Sequence, residues 1–325
     1  MDKFNKEPLV YILLASYNGG KYIEEQINSI VLQTYTNWIL LIRDDNSSDD
    51  TVTIIESFIR KDQRIKLIEK GVENNSKGAC QNFASLLNVA VQEKASYMMF
   101  ADQDDYWFPE KIDKMIKGID KDLNPAMLYS SFLYADDNLK ILPEHVQKIK
   151  SSFLKPSFNR LIVQNTVYGC TMMINYSMAQ KCLPIPQEAE NHDYWITLVA
   201  TGINASISHL DIPLMLYRQH GNNVTGSFND HSNFSRVKRF FTGWSNMKKV
   251  QLKKNKMLDI FAKKMKSELL PQNLELIEGY LKRIKYNNIQ LIIFCVANGI
   301  KRFSFLSTIV FYFTLCSLPK TRQIS

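Results

Sequence analysis

Asp102-Gln103-Asp104-Asp105 follows the apolar run Tyr97-Met98-Met99-Phe100 and precedes Trp107-Phe108-Pro109. Three carboxylates crowded at a strand end repel one another unless a cation holds them, and hard oxygen ligands select Mg²⁺ or Mn²⁺. An ion held by one or two of them keeps positions open for a diphosphate, whose charge it neutralises on departure. The plainer reading is an acidic loop capping a helix that opens near Pro109. Asp44-Asp45-Asn46-Ser47-Ser48 is a turn leading into a helix cap; Asp45 could in addition accept from a pyrimidine imide, with Tyr17 stacked on the base. Asn191-His192-Asp193-Tyr194-Trp195 opens a helix. Asp193 is there either a favourable first-turn charge or, in a sugar-transfer site, the general base that takes a proton from an acceptor hydroxyl. Tyr217-Arg218-Gln219-His220-Gly221-Asn222-Asn223 offers Arg218 to pyrophosphate and His220 to a metal, against a structural reading of both.

These side chains need a scaffold that brings them together. Strand-like Leu9–Ala15, Trp38–Ile42, Ile65–Ile68 and Tyr97–Ala101 alternate with helical Lys21–Leu32, Asp50–Arg60 and Ala79–Gln92. That alternation predicts βα units around a largely parallel sheet, with ligands beyond the carboxyl ends of the strands. Ser16-Tyr17-Asn18-Gly19-Gly20, the Asp44 loop and the Asp102 loop all follow strands, so all three fall on one rim. Met127–Ser131, Cys170–Ile174, Ile203–Ser208 and Ile212–Leu216 extend the strand pattern. Beyond about residue 228 the chain turns to Lys-rich helices, which sets a boundary between a catalytic part, 1–228, and a tail, 229–325.

The 325 residues are 45% hydrophobic, enough for one large core. Residues 231–325 hold 18 Lys and Arg against 4 Asp and Glu, so +14 of charge sits in the tail and −6 in the rest. Combined with the apolar runs Ile289–Val296 and Phe303–Leu318, this basicity suits an anionic lipid surface better than nucleic acid. Phe303–Leu318 is shorter than the roughly 20 residues a spanning helix needs, so lying on the bilayer is the expectation. The tail serves equally well as a homodimer interface. The opening MDKFNKEP lacks the apolar core of a secretory signal, which points to the cytosol. Cys80, Cys170, Cys182, Cys295 and Cys316 are odd in number and scattered, and read as packing residues.

Ala15-Ser16-Tyr17-Asn18-Gly19, Arg43-Asp44-Asp45-Asn46-Ser47-Ser48, Ala101-Asp102-Gln103-Asp104-Asp105-Tyr106-Trp107, His192-Asp193-Tyr194-Trp195 and Tyr217-Arg218-Gln219-His220-Gly221-Asn222-Asn223 stand in the order seen in family 2 glycosyltransferases. Over residues 8–226 the chain resembles the bacterial rhamnosyltransferase-like branch, including rhamnan and capsule polysaccharide enzymes. The resemblance implies a GT-A fold of α/β class, with a Rossmann-like sheet flanked by helices and inversion by direct displacement. It implies that Ala15, Tyr17 and Asp45 line the base and ribose pocket, that Asn82 lies near the nucleotide, and that Asp102 and Asp104 meet ribose and metal. Asp104 is then the direct ligand and Asp193 the base. Mg²⁺ or Mn²⁺ is the implied cofactor. The implied donor is dTDP-L-rhamnose, ahead of UDP-linked glucose, galactose or N-acetylhexosamine, and the implied acceptor is a lipid-linked oligosaccharide at the inner face of the cell membrane. Cys170 stands where the family has a second Gly. The Q-x-x-R-W of processive synthases is absent, which favours single addition. Two other classes compete, a sugar nucleotidyltransferase and a binding protein without turnover.

Overall fold

The computed structural model describes residues 7–68, 78–121, 124–142, 155–221, 233–286 and 288–318, with the side chains of 233–245 left aside. The boundary expected at 228, and Asn222 and Asn223 of the last motif, lie outside the described residues.

The first half follows the expected alternation: β1 (Val10–Ser16), α1 (Ile23–Val31), β2 (Trp38–Asp44), α2 (Thr51–Ile59), β3 (Ile65–Leu67), α3 (Gly78–Gln92) and β4 (Tyr97–Asp102). Val10 to Leu14 are all buried, because a parallel strand covered on both faces has no solvent side. Helix α1 buries Ile23, Gln26, Ile27 and Ile30, the spacing of one helical face. The chain continues with β5 (Tyr106–Trp107), α4 (Lys111–Gly118), β6 (Ala126–Ala135), α5 (Phe158–Leu161), a 3₁₀ turn at Gly169–Thr171, β7 (Met172–Asn175), α6 (Tyr176–Cys182), α7 (His192–Gly202) and β8 (Ser206–Arg218).

The eight strands form one sheet in the order β3-β2-β1-β4-β7-β6-β8-β5. Among the described pairings four are parallel and three, those made by β7 and β5, are antiparallel. The sheet is therefore mostly parallel, as expected.

Two local readings change. Ile203–Ser208 and Ile212–Leu216 do not form two strands: β8 runs unbroken along β6, and the register steps from Ser130↔Leu210 to Ser131↔Pro213. Asp211 and Ile212 are looped out at that step, and Pro213, which lacks an N–H, follows them; this is what made the pattern look interrupted. Cys170 belongs to the 3₁₀ turn rather than to β7, and Cys316 is exposed rather than packed.

Among the described residues the tail forms four helices, α8 (Asn233–Lys264), α9 (Pro271–Tyr286), α10 (Asn288–Ala297) and α11 (Phe305–Cys316). It packs into the same core as the sheet. Phe261 meets Trp195 edge-on at 5.6 Å, Lys254 Nζ donates to the Val163 carbonyl at 2.9 Å, and Asn273 Nδ2 donates to the Gly202 carbonyl at 3.0 Å. Gly202 is required at this seam, since a Cβ there would stand 2.6 Å from Leu269 Cδ2. Among the described residues no helix is long and apolar enough to cross a membrane.

Phe261 is fully buried between the tail and α7. Phe261→Ala is expected to lower unfolding stability by about 3–5 kcal/mol in urea titration, with the sheet and tail melting in one transition.

Candidate active site

Strand register assembles the site. β1 pairs Ser16 with Asp44 of β2 and Ala15 with Asp102 of β4, so the carboxyl ends of three parallel strands finish level. The antiparallel pairing Met99↔Met173, continued outward, sets Cys170 opposite Asp102. The 3₁₀ turn thus arrives beside the Asp102 loop from the other half of the sheet.

The loops after β1 and β2 are laced into one surface. Asn18 N donates to Ser47 Oγ at 2.8 Å, Ser48 N donates to Asn18 Oδ1 at 2.8 Å, and Gly20 N donates to Asp49 Oδ2 at 2.9 Å. Asn18 and Asn46 take left-handed φ values of 46° and 67°, a conformation Asn tolerates better than most side chains. Gln103 grips the Tyr17 main chain from both sides, accepting from its N–H at 2.8 Å and donating to its carbonyl at 3.0 Å. Gly19 makes room for that grip, as a Cβ would stand 2.2 Å from Gln103 Oε1. Tyr17 is left with its side chain 56% exposed on the rim. Asp45 is buried; its main chain donates to the Ser16 carbonyl at 2.8 Å and its Oδ2 accepts from Gly78 N at 3.0 Å. Asn82, one turn along α3, is buried with its Oδ1 unpartnered.

The four carboxylates beyond β4 and α7 separate into two levels. Asp105 turns inward, where its Oδ1 accepts from Arg218 N at 3.2 Å. Ligand atoms of Asp102, Asp105 and Cys170 lie within 4.8 Å of one another. Beside them is Lys111, 0% exposed, whose Nζ donates to the Cys170 carbonyl at 2.6 Å and lies 3.9 Å from the Trp107 ring centre. Burial pulls its ammonium down to about 8, while the charges of Asp105 and Asp102 hold it up. Burial, then the charges of Asp104 and Asp193, push the Asp102 carboxyl up to about 7. A sulfur ligand and a resident ammonium make this inner cluster a poor seat for Mg²⁺ or Mn²⁺.

The outer level is different. Asp104 Oδ2 and His220 Nε2 are 2.8 Å apart, a separation that two neighbouring ligands of one small cation can share. These residues fit a divalent ion, with oxygen and imidazole ligands facing each other at the rim. Arg218, expected to meet pyrophosphate, directs its donors to the protein. Its Nε donates to the Asp104 carbonyl at 2.7 Å, its other nitrogens reach the Asp137 carbonyl and Glu25, and its guanidinium lies 4.7 Å from the Tyr22 ring centre. It braces the loop that carries Asp104.

Asp193 opens α7 and is tied to the same turn. Its Oδ2 accepts from Gly169 N at 3.1 Å and its Oδ1 from Tyr194 N at 2.6 Å. Burial pushes its carboxyl up to about 6 against those two N–H groups, the range in which a carboxylate is both ionised at neutral pH and basic enough to accept a proton. His192 is a packing group, stacked 3.9 Å from Phe83 and 4.9 Å from Phe100, and burial brings it down to about 3, so it stays neutral. Gly169 must be small, since a Cβ would stand 2.5 Å from His192 Nε2. A path of contacts now runs from Lys111 to Asp193: Lys111 to the carbonyl of Cys170, and the adjoining Gly169 N–H to Asp193.

A sequence profile described as Glycosyl transferase family 2 matches residues 11–183, more than half of the chain. The chain belongs to this family. The enzyme is 33% identical over 225 residues to the dTDP-rhamnosyl transferase RfbG of Shigella flexneri, covering 66% of this chain and 74% of that one. It is 31% identical over 170 residues to the UDP-Glc:alpha-D-GlcNAc-diphosphoundecaprenol beta-1,3-glucosyltransferase WfgD of Escherichia coli, covering 51% and 59%. In fold it is similar to S. aureus TarS 1-349 in complex with UDP, with a TM-score of 0.52 at 17% identity over 86% of this chain and 73% of that one. This likeness bears out the GT-A fold, and the family membership sets the nucleotidyltransferase and binding-protein alternatives aside.

The sequence reading of this transferase missed Lys111 and Gln103 as site residues, whereas Gly169 lies in the segment 166–171 that the resemblance sets beside the acceptor site. The available signal for Lys111 was its place among the buried positions of α4, next to Ile112 and one turn from Met115. Lys111→Met leaves the buried Cys170 carbonyl without its donor and is expected to lower stability by about 1–3 kcal/mol in urea titration.

Proposed function

We propose that the enzyme is an inverting, metal-dependent transferase that moves a sugar from a nucleoside diphosphate to a hydroxyl of a lipid-linked oligosaccharide in cell-surface polysaccharide synthesis. The observation that carries this reading is the level finish of β1, β2 and β4, which lines up Ala15, Asp44 and Asp102 beside a turn that holds Asp193. Tyr17 offers an exposed ring for the base, and Asp45, Asn82 and Ala15 line its pocket. Asp102 takes the ribose. Asp104 and His220 hold the cation, which supplies charge for the departing diphosphate. Arg218 serves by fixing the main chain of Asp104 rather than by touching phosphate.

Asp193 takes the proton of the acceptor hydroxyl as that oxygen bonds to the anomeric carbon. The bond from that carbon to the diphosphate breaks, and its electron pair leaves on the nucleoside diphosphate. A single displacement of this kind inverts the centre.

The similarity to RfbG supports dTDP-L-rhamnose as the first choice of donor; the similarity to WfgD supports a UDP-hexose as the second choice and a lipid diphosphate acceptor. The place of work is the cytoplasmic face of the cell membrane, with the catalytic unit ending near 228 and the tail completing it.

The test is release of nucleoside diphosphate from dTDP-rhamnose and a UDP-sugar panel, with membrane-extracted acceptor and Mg²⁺ or Mn²⁺. Acceptor-dependent release from one donor, abolished by chelator, is expected. Asp193→Asn should lower turnover about 100- to 10,000-fold while the donor still binds. Because Asp193 acts as the ionised base with its carboxyl near 6 and Asp102 sits near 7, kcat/KM should rise with pH through 7 and fall at least about tenfold per pH unit below 6. Full turnover in Asp193→Asn, or a profile flat down to pH 5, contradicts the assignment.

A further inference from the structure

Among the described side chains of the tail, the most exposed large apolar ones lie on helices α10 and α11 and the connection between them. Ile289, Ile293, Val296, Phe305, Leu306 and Phe313 are between 61% and 84% exposed. On α10 the pattern is one-sided: Ile289, Ile293 and Val296 follow a spacing of four and three, while Leu291 and Cys295 of the same helix are buried. Helix α11 buries Phe311, Thr314 and Leu315 and leaves Phe305, Leu306 and Phe313 to solvent. Val296, Phe303, Phe305 and Leu306 flank the short connection 298–304, so the turn itself is a cluster of apolar side chains with Lys301 exposed among them.

Isolated exposed apolar residues are ordinary, but so many on two packed helices and their turn mark a contact surface. Charge says what kind. From residue 279 to 325 the sequence contains seven Lys and Arg and no Asp or Glu. Lys282 and Lys285, on the helix before α10, and Lys301, in the turn, are exposed. A second copy docking the same face would set these cations against their own kind, while the carboxylate nearest Lys282 on its helix, Glu278, is already paired with Lys266 at 3.6 Å. An anionic lipid surface meets both features, taking the apolar side chains below its headgroups and the ammonium groups at them. Neither helix is long enough to cross.

We propose that the α10–turn–α11 face is the membrane-docking surface of this protein, lying in the interface of an anionic bilayer with Phe305 and Leu306 inserted and Lys282, Lys285 and Lys301 on the headgroups. This deepens the membrane-side location given above, but it rests on the surface and not on the transfer reaction.

The experiment is co-sedimentation of the full-length protein with vesicles of phosphatidylglycerol and phosphatidylcholine, and with phosphatidylcholine alone. It is run on the wild type and on the double variant Phe305→Asp, Leu306→Asp, with uridine and thymidine diphosphate affinity measured in parallel. The wild type should bind the anionic vesicles, and the variant at least about tenfold more weakly. Binding should also fall as salt is raised, and pure phosphatidylcholine should bind more weakly than the anionic mixture. Nucleotide affinity should be the same in both proteins, which separates this claim from the transferase reading and shows that the variant is folded. Equal binding by variant and wild type, no preference for anionic lipid, or a wild-type dimer in sedimentation velocity that the double variant dissolves while neither binds vesicles, would overturn the proposal.

Discussion

The repulsion among the carboxylates beyond β4 and α7 is the constraint from which the rest of the site follows. Burial, then the charges of Asp104 and Asp193, raise the Asp102 carboxyl, and burial, then the charges of Asp104 and Asp102, raise that of Asp105. The protein meets this with a buried ammonium below, and a second, exchangeable cation is proposed above. Lys111, sealed among Trp107, Met215 and the Cys170 carbonyl, supplies the first. Asp104 and His220, paired at the rim, are the proposed ligands of the second. The division explains why adjacent Asp residues have different duties: Asp105 is held inward by the Arg218 main chain, and Asp104 faces outward because Arg218 grips its carbonyl.

That arrangement needs a mixed sheet. Parallel strands β1, β2 and β4 bring three loops to one edge, which is enough to surround a nucleotide. Antiparallel β7 runs the other way, so the turn before it reaches the same edge and delivers Gly169 to Asp193 and Cys170 to Lys111. Lys111 and Asp193 are thereby joined through the two consecutive residues Gly169 and Cys170. The tail supports this from behind, since Phe261 and Asn273 pack on α7, the helix whose first turn carries Asp193.

Much of this was legible in the sequence. The buried parallel strands announced themselves as unbroken apolar runs, and the polar loops after them gave Tyr17, Asp45, Asp102 and Asp104 their common rim. Asp193 was placed by its motif, not by periodicity. What stayed hidden depended on contacts between distant segments. Lys111 looks like any lysine of an amphipathic helix until Cys170, 59 residues away, is set above it. Arg218 looks like a phosphate ligand until Glu25 and the carbonyls of Asp104 and Asp137 take its donors. The looped-out Asp211 and Ile212 disguised one strand as two, because a register step leaves the same local pattern as a turn.

The most direct test of the two-level account is Mn²⁺ binding measured by electron paramagnetic resonance in the presence of uridine or thymidine diphosphate. Wild-type protein, Asp104→Ala and Cys170→Ser would be compared. The account predicts a single Mn²⁺ per chain that Asp104→Ala loses and Cys170→Ser keeps. A site that survives Asp104→Ala and disappears in Cys170→Ser would place the exchangeable cation in the inner cluster and contradict the role given to Lys111.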